Sequence, residues 1–253
     1  MYCNQFNRSI PYYQGSTNPQ DNATSGEAEG LWIGQLRAVY TNVDAARQCP
    51  EATDPFPDPN PNDVDRTGTA VNCWGPTSPT GADAFIGNQT GSYGFNGWLY
   101  WFNTATPAVR GLTSASVTAS MLGLPGYPDP RADWYNFPFT PHSALIPTFA
   151  DCIWPDGWPT PVDTVPPNLN VGIYLASDTG IPAQDPTGTT TRTGTTGAGI
   201  GHMGRFCIAR HGHAINVAFA DGHAETVPLQ NLWALDWFPR YVRPQTLPTI
   251  PNH

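Results

Sequence analysis

Twenty-eight of the 253 residues are proline and another 25 are glycine, and the prolines recur from Pro11 to Pro251. Proline lacks an amide donor and its ring clashes with the preceding helical turn, so it is kept out of helix interiors. Punctuation of this density rules out an all-helical fold. The expected fold class is therefore α+β and β-rich, with short elements joined by long Pro/Gly loops. The length allows one large domain or two small ones and is ample for a real core.

Charge narrows the partners. The net charge is −9, only 12% of residues are charged, and all 11 basic residues are arginine. Scattered arginines on an acidic chain do not make the cationic surface that a phosphate backbone needs, so nucleic acid is excluded as a partner. An anionic membrane surface is disfavoured on the same ground. No apolar run reaches the roughly 18 residues of a membrane span, and the polar start MYCNQFNRS carries no secretory apolar region.

The best helical pattern runs from Glu27 to Arg47, where Leu31, Ile33, Leu36, Val39 and Tyr40 fall near helical spacing. Asn42 is placed to cap a second short turn ending at Ala46, before Pro50. Residues 1–26 read as an extended arm, residues 27–240 as the globular domain and residues 241–253 as a proline-rich tail. Within the domain, 50–66 is an acidic proline loop, 155–168 a Pro/Trp/Asp loop, and 187–199 a Thr/Gly tract unable to pack a core. The segment 92–102 is aromatic and β-prone, with Gly94 and Gly97 allowing close backbone approach. Residues 113–122 suit a short helix, and 144–154 a buried strand. Near the end, Arg205–Ala209 reads as a strand. Ala214–Ala220 alternates Ile215, Val217 and Phe219 on one face, and Asp221-Gly222 suits a two-residue type I′ turn. His223–Val227 returns as the partner strand and Pro228 stops the pairing, and Leu229–Leu235 makes a short helix burying Leu232 and Trp233.

Five cysteines stand far apart, without a CxxC pair. The composition looks extracellular, where disulfides persist, and pairs Cys49–Cys73 and Cys152–Cys207 are the candidates, with Cys3 left over. Buried thiols are the competing reading. Sequons at Asn7, Asn22 and Asn88 are candidates for glycosylation.

His211, His213, Asp221 and His223 lie in the string HGHAINVAFADGH. Two histidines in HxH on a strand would put both rings on one face, a transition-metal arrangement. The hairpin turn, however, carries Asp221 and His223 over about 20 Å from His213, so a partner such as His202 or His142 would be required. Calcium would take Asp54, Asp58, Asp63 and Asp65, or Asp156 and Asp163, through hard oxygen ligands. Trp98, Trp101, Trp154 and Trp158 would, if exposed, serve a sugar-binding surface, although rings in such positions more often fill a core. There is no GxSxG elbow, SxxK or P-loop, and the Gly-rich string GTTGAGIGHMG has no strand before it. No catalytic residue is nominated.

His211, nine intervening residues and then Asp221-Gly222 form the pattern H-x9-DG. With GLWIGQLRAVYTNVDAARQCP, GSYGFNGWLY, FADCIWPDGWP and HAETVPLQNLWALDW in order, the chain resembles the prepilin-type processing-associated H-x9-DG proteins of bacteria. The resemblance implies a pilin-like globular head with an antiparallel sheet, lacking the family's N-terminal spine helix. It also implies a non-enzymatic structural subunit outside the cell or at its surface, self-associating into a filament, with glycans and Ca²⁺ as possible additions. A secreted carbohydrate-binding module and, behind it, a metal-dependent hydrolase built on His211 and His213 are the alternatives.

Overall fold

The computed structural model describes residues 10, 32–37, 40, 42–54, 67–75, 89–100, 142–172 and 202–251. The arm (Ile10 apart), the 113–122 helix, the 187–199 tract, most of the acidic loop, Trp101, Cys3 and the asparagines of the three sequons lie outside these residues.

The helical pattern of 27–47 resolves into two short pieces, α1 (Trp32–Arg37) and α2 (Val43–Ala46). Asn42 is indeed the residue before α2, but its side chain makes no capping bond. The aromatic segment forms β1 (Tyr93–Asn96), followed by a 3₁₀ turn at Gly97–Leu99 in which the Asn96 side chain accepts from the Trp98 amide. The expected strand at 144–154 is shorter, with a 3₁₀ turn at Ser143–Leu145 leading into β2 (Pro147–Asp151). Asp156–Gly157 adds the two-residue β3.

Arg205–Ala209 is not a strand. Met203–Phe206 is the helical turn α3, and tight bonds from Ile208 N to Phe206 O (2.9 Å) and Arg210 N to Ile208 O (3.0 Å) follow it. Cys207 and Ile208 are enclosed on every side, and a short, wholly buried apolar run carries no periodicity to distinguish strand from turn.

The C-terminal hairpin is β4 (Ala214–Phe219) with β5 (Ala224–Pro228), paired from Ala214↔Pro228 to Ala218↔Ala224, so Pro228 does not stop the pairing but is its last residue, where a missing amide costs the ladder least. Burial along β4 alternates as the sequence predicts, with Ile215, Val217 and Phe219 inward. The turn differs from expectation. Gly222 alone has positive φ (96°), and Gly222 N bonds to Phe219 O at 3.0 Å while Phe219 N bonds to His223 O at 2.9 Å. That is a three-residue loop with a type I turn and a glycine bulge, which spares Asp221 the left-handed conformation a type I′ turn would impose. A 3₁₀ helix at Leu229–Ala234 then buries Leu229, Leu232 and Trp233.

The sheet order is β3-β1-β2-β4-β5. Every pairing is antiparallel except β1 with β3, so the sheet is mixed rather than wholly antiparallel. The fold is α+β. Register slips between Pro147 and Phe149, where proline cannot donate, and there the Thr148 hydroxyl donates to Ala218 O at 2.9 Å.

Seven of the nine tryptophans are described and all seven are buried, Trp98, Trp154 and Trp158 among them. These three therefore offer no exposed sugar-stacking face. Instead, indole N–H groups fasten the Pro-rich segment after β2. Trp32 donates to Pro155 O (2.7 Å), Trp98 to Pro159 O (2.9 Å) and Trp233 to Asp163 O (2.9 Å). A proline-rich run has few amides, and its carbonyls need outside donors once buried. The indoles supply them while burying large apolar area, each side chain worth about 1.5–3 kcal/mol or more. No helix among the described residues is long and apolar enough to cross a membrane.

Candidate functional site

His211 sits just before β4, in a turn closed by its own amide bonding to Ala214 O at 3.2 Å. Gly212, at φ +70°, reverses the chain there, so HxH does not lie on a strand. The two rings consequently part. His213 is exposed, whereas His211 turns toward the end of β2. Its Nε2 lies 3.2 Å from Asp151 Oδ2, 3.4 Å from Cys49 Sγ and 3.0 Å from Asn216 Nδ2.

Asp151 is held from several sides. Its Oδ1 receives Arg210 Nη1 at 3.0 Å, and both side chains are fully buried. Its Oδ2 accepts the Asn216 amide at 2.8 Å. Arg210 in turn donates to the carbonyls of Ala70 (3.1 Å), Thr69 (2.8 Å), Cys152 (3.4 Å) and Ser92. This guanidinium joins the segment around residue 70, the start of β1 and the end of β2 to the residue beside His211.

Cys49 follows α2 and is buried, its sulfur hydrogen-bonded by the Tyr93 side chain. Burial pushes the thiol above its ordinary range. The ligating atoms of Cys49, Asp151 and His211 all lie within 4.8 Å of one another. They do not make a nucleophile relay. A Cys–His–Asp relay needs the two ring nitrogens to face opposite partners; here sulfur and carboxylate both face Nε2.

The second half of the motif lies apart from this cluster. Asp221 Oδ1 accepts from His223 Nδ1 (2.6 Å) and His223 N (3.1 Å), which lowers the carboxyl below its usual range. The His223 ring stacks flat on Phe219, 4.4 Å between centroids. Asp221 and Gly222 thus shape the hairpin and do not converge on His211.

Asp156 and Asp163, the paired calcium candidates, are buried in separate hydrogen-bond sets. Asp156 faces Arg205 (3.5 Å) and the Tyr100 hydroxyl (3.3 Å). Asp163 accepts from the Thr160 amide (3.0 Å), the Thr160 hydroxyl and the Met203 amide (2.8 Å). Its carboxyl is pushed up to about 6 by burial, against those bonds. Of the other acidic candidates, Asp54 is exposed and Asp58, Asp63 and Asp65 lie outside the described residues. His142 is exposed with φ +65°, and His202 is buried edge-on to Trp158; neither joins His211. Cys49, Cys73, Cys152 and Cys207 are free and buried, and neither proposed disulfide is formed.

An apolar groove of about 540 Å³ runs between the α1–α2 pair and the sheet, with Trp32, Leu36, Tyr40, Val43, Phe149 and Val217 among its lining. Tyr93 and Asn216, which flank the Cys49–His211 contact, also line it.

Asp151 and Cys49 as neighbours of His211 were not foreseeable from spacing. Each is separated from His211 by tens of residues, and only the fold joins them. No protein-family model, no curated protein and no solved structure matches the chain.

Proposed function

We propose that the protein is a non-enzymatic structural subunit, pilin-like in character, that self-associates outside the cell or at its surface. The observation that carries this reading is how both halves of H-x9-DG are used. His211 is packed against the buried Asp151–Arg210 pair, and Asp221-Gly222 closes the hairpin at the far end of the same strand. The motif's nine-residue spacing is the length of β4 with its two flanking turns. A motif that sets the two ends of β4 in this way specifies a fold, in keeping with the family resemblance.

The groove supports the self-associating part, because a concave apolar surface of this size marks a site for a partner, whose burial has to outweigh the repulsion between two chains of net charge −9. The test is sedimentation velocity across a concentration series, with negative-stain microscopy of the heaviest fractions. Assembly that grows with concentration, and that Ala46→Glu or Ala224→Arg on the groove rim weakens without altering circular dichroism, is the expected result. A monomer at every concentration would overturn the reading.

A further inference from the structure

We propose that Cys49, Asp151 and His211 form a binding site for one divalent ion of the zinc class. The inference stands apart from self-association, since a single chain supplies all three ligands.

Three features carry it. The first is distance. Zn²⁺ binds thiolate at about 2.3 Å and imidazole or carboxylate at about 2.0–2.2 Å, so tetrahedral neighbours fall about 3.6 Å apart for sulfur–nitrogen and about 3.4 Å for nitrogen–oxygen. The corresponding separations here are 3.4 Å and 3.2 Å, within the tolerance of a small adjustment.

The second is the direction of the donors. With Oδ1 of Asp151 bonded to Arg210, the carboxylate presents Oδ2 to the cluster. Asn216, whose Oδ1 accepts from the Thr226 hydroxyl at 2.8 Å, aims its amide nitrogen at His211 Nε2. In that orientation the amide donates and Nε2 carries a lone pair. Nε2, carboxylate oxygen and sulfur meet at one place, and a bound cation would take the single Nε2 lone pair over from the Asn216 side chain. The Arg210 bond to Asp151 Oδ1 and the Asn216 backbone amide on Oδ2 would stay in place and orient the carboxylate.

The third is access. Cys49 and Asp151 are closed off, but the His211 side chain is 24% exposed and Asn216 and Tyr93 open onto the groove. Three protein ligands leave a fourth corner for water on that side. A thiolate with an imidazole selects a borderline-soft ion over Ca²⁺ or Mg²⁺.

The full chain, stripped with a chelator and kept reduced and dilute, is titrated with Zn²⁺ and separately with Co²⁺, bound metal being counted after gel filtration. The expected result is one equivalent per chain, with a thiolate-to-cobalt charge-transfer band. Cys49→Ser should abolish the band, and His211→Ala, at the exposed rim, should weaken uptake at least tenfold. His213→Ala and His223→Ala should leave both unchanged. Uptake well below one equivalent, a cobalt spectrum without the thiolate band, or retention of full uptake in folded His211→Ala protein would overturn the proposal. The first of those results would mean that a shared proton holds the cluster together.

Discussion

Replacing Asp151 with alanine should cost the sheet several kcal/mol of stability. Its partner Arg210 is fully buried, with the two side chains 3.0 Å apart. Removing one member of a buried ion pair leaves the other charge uncompensated, at about 3–5 kcal/mol. The Asn216 amide also loses its acceptor, a further ~1–3 kcal/mol if nothing replaces it. Against this, Arg210 keeps its carbonyl acceptors at Ala70, Thr69, Ser92 and Cys152, which moderates the loss. A net destabilisation of about 4 kcal/mol is therefore expected. With a urea m-value of about 2 kcal/mol per molar, the midpoint should fall by about 2 M. The measurement is equilibrium urea unfolding of metal-free protein, followed by tryptophan fluorescence. Asp151→Asn, which keeps an acceptor for Asn216 but loses the charge, should fall between wild type and alanine. The double variant Asp151→Ala/Arg210→Met should cost less than the sum of its singles, because the two sites share one interaction. A midpoint shift under about 0.5 M for Asp151→Ala, or strict additivity in the cycle, would refute the argument that this pair anchors the sheet.

Further outcomes follow from single residues. The Asp163 carboxyl is raised from 3.8 to about 6 by burial, so the folded state binds the extra proton. Stability should then be highest below about pH 4 on this account and fall as pH rises to about 6, by up to ~3 kcal/mol; Asp163→Asn should flatten that slope in unfolding curves taken across the range. Cys73 is pushed up to about 11, and Cys152 and Cys207 to about 12, by burial. With Cys49 also buried, these four thiols should resist a disulfide-exchange reagent in native protein and react once it is unfolded, and a disulfide found by non-reducing mass spectrometry would contradict this. Gly97→Ala would set a Cβ 2.3 Å from the Trp158 ring and should lower stability by about 1–3 kcal/mol, which thermal unfolding would detect.

Much of the local order was legible in the residues themselves. The strand period of Ile215, Val217 and Phe219, the hairpin at Asp221-Gly222 and the buried turn holding Leu232 and Trp233 follow from patterns a few residues long. Proline density excluded an all-helical chain because its effect on the backbone is covalent. Turn type was read less well, since Asp221-Gly222 suits both a two-residue and a three-residue loop and the pairing of Ala218 with Ala224 decides between them. The tryptophans illustrate the same boundary. Their clustering with aspartate left a sugar face open beside the commoner core role, because whether a ring points outward depends on what covers it. Here Trp98, Trp154 and Trp158 are all buried, and the Pro159 carbonyl takes the Trp98 N–H.

The candidate site belongs wholly to the tertiary structure. His211 was marked out by its motif, but the expected neighbour His213 is turned away at Gly212, and neither His202 nor His142 joins it, while Asp221 lies at the far end of β4 as its spacing implied. Of its actual neighbours, Asp151 is brought to it by the β2–β4 pairing and Arg210, and Cys49 by the loop after α2, which Ser92 N fastens to the start of β1 through Arg47 O at 2.9 Å. Composition and periodicity determine which segments bury and which bend, because those preferences act within a few residues. Which buried groups meet is decided by sheet register and by the hydrogen bonds that each buried polar group must find, and both depend on residues distant in the chain.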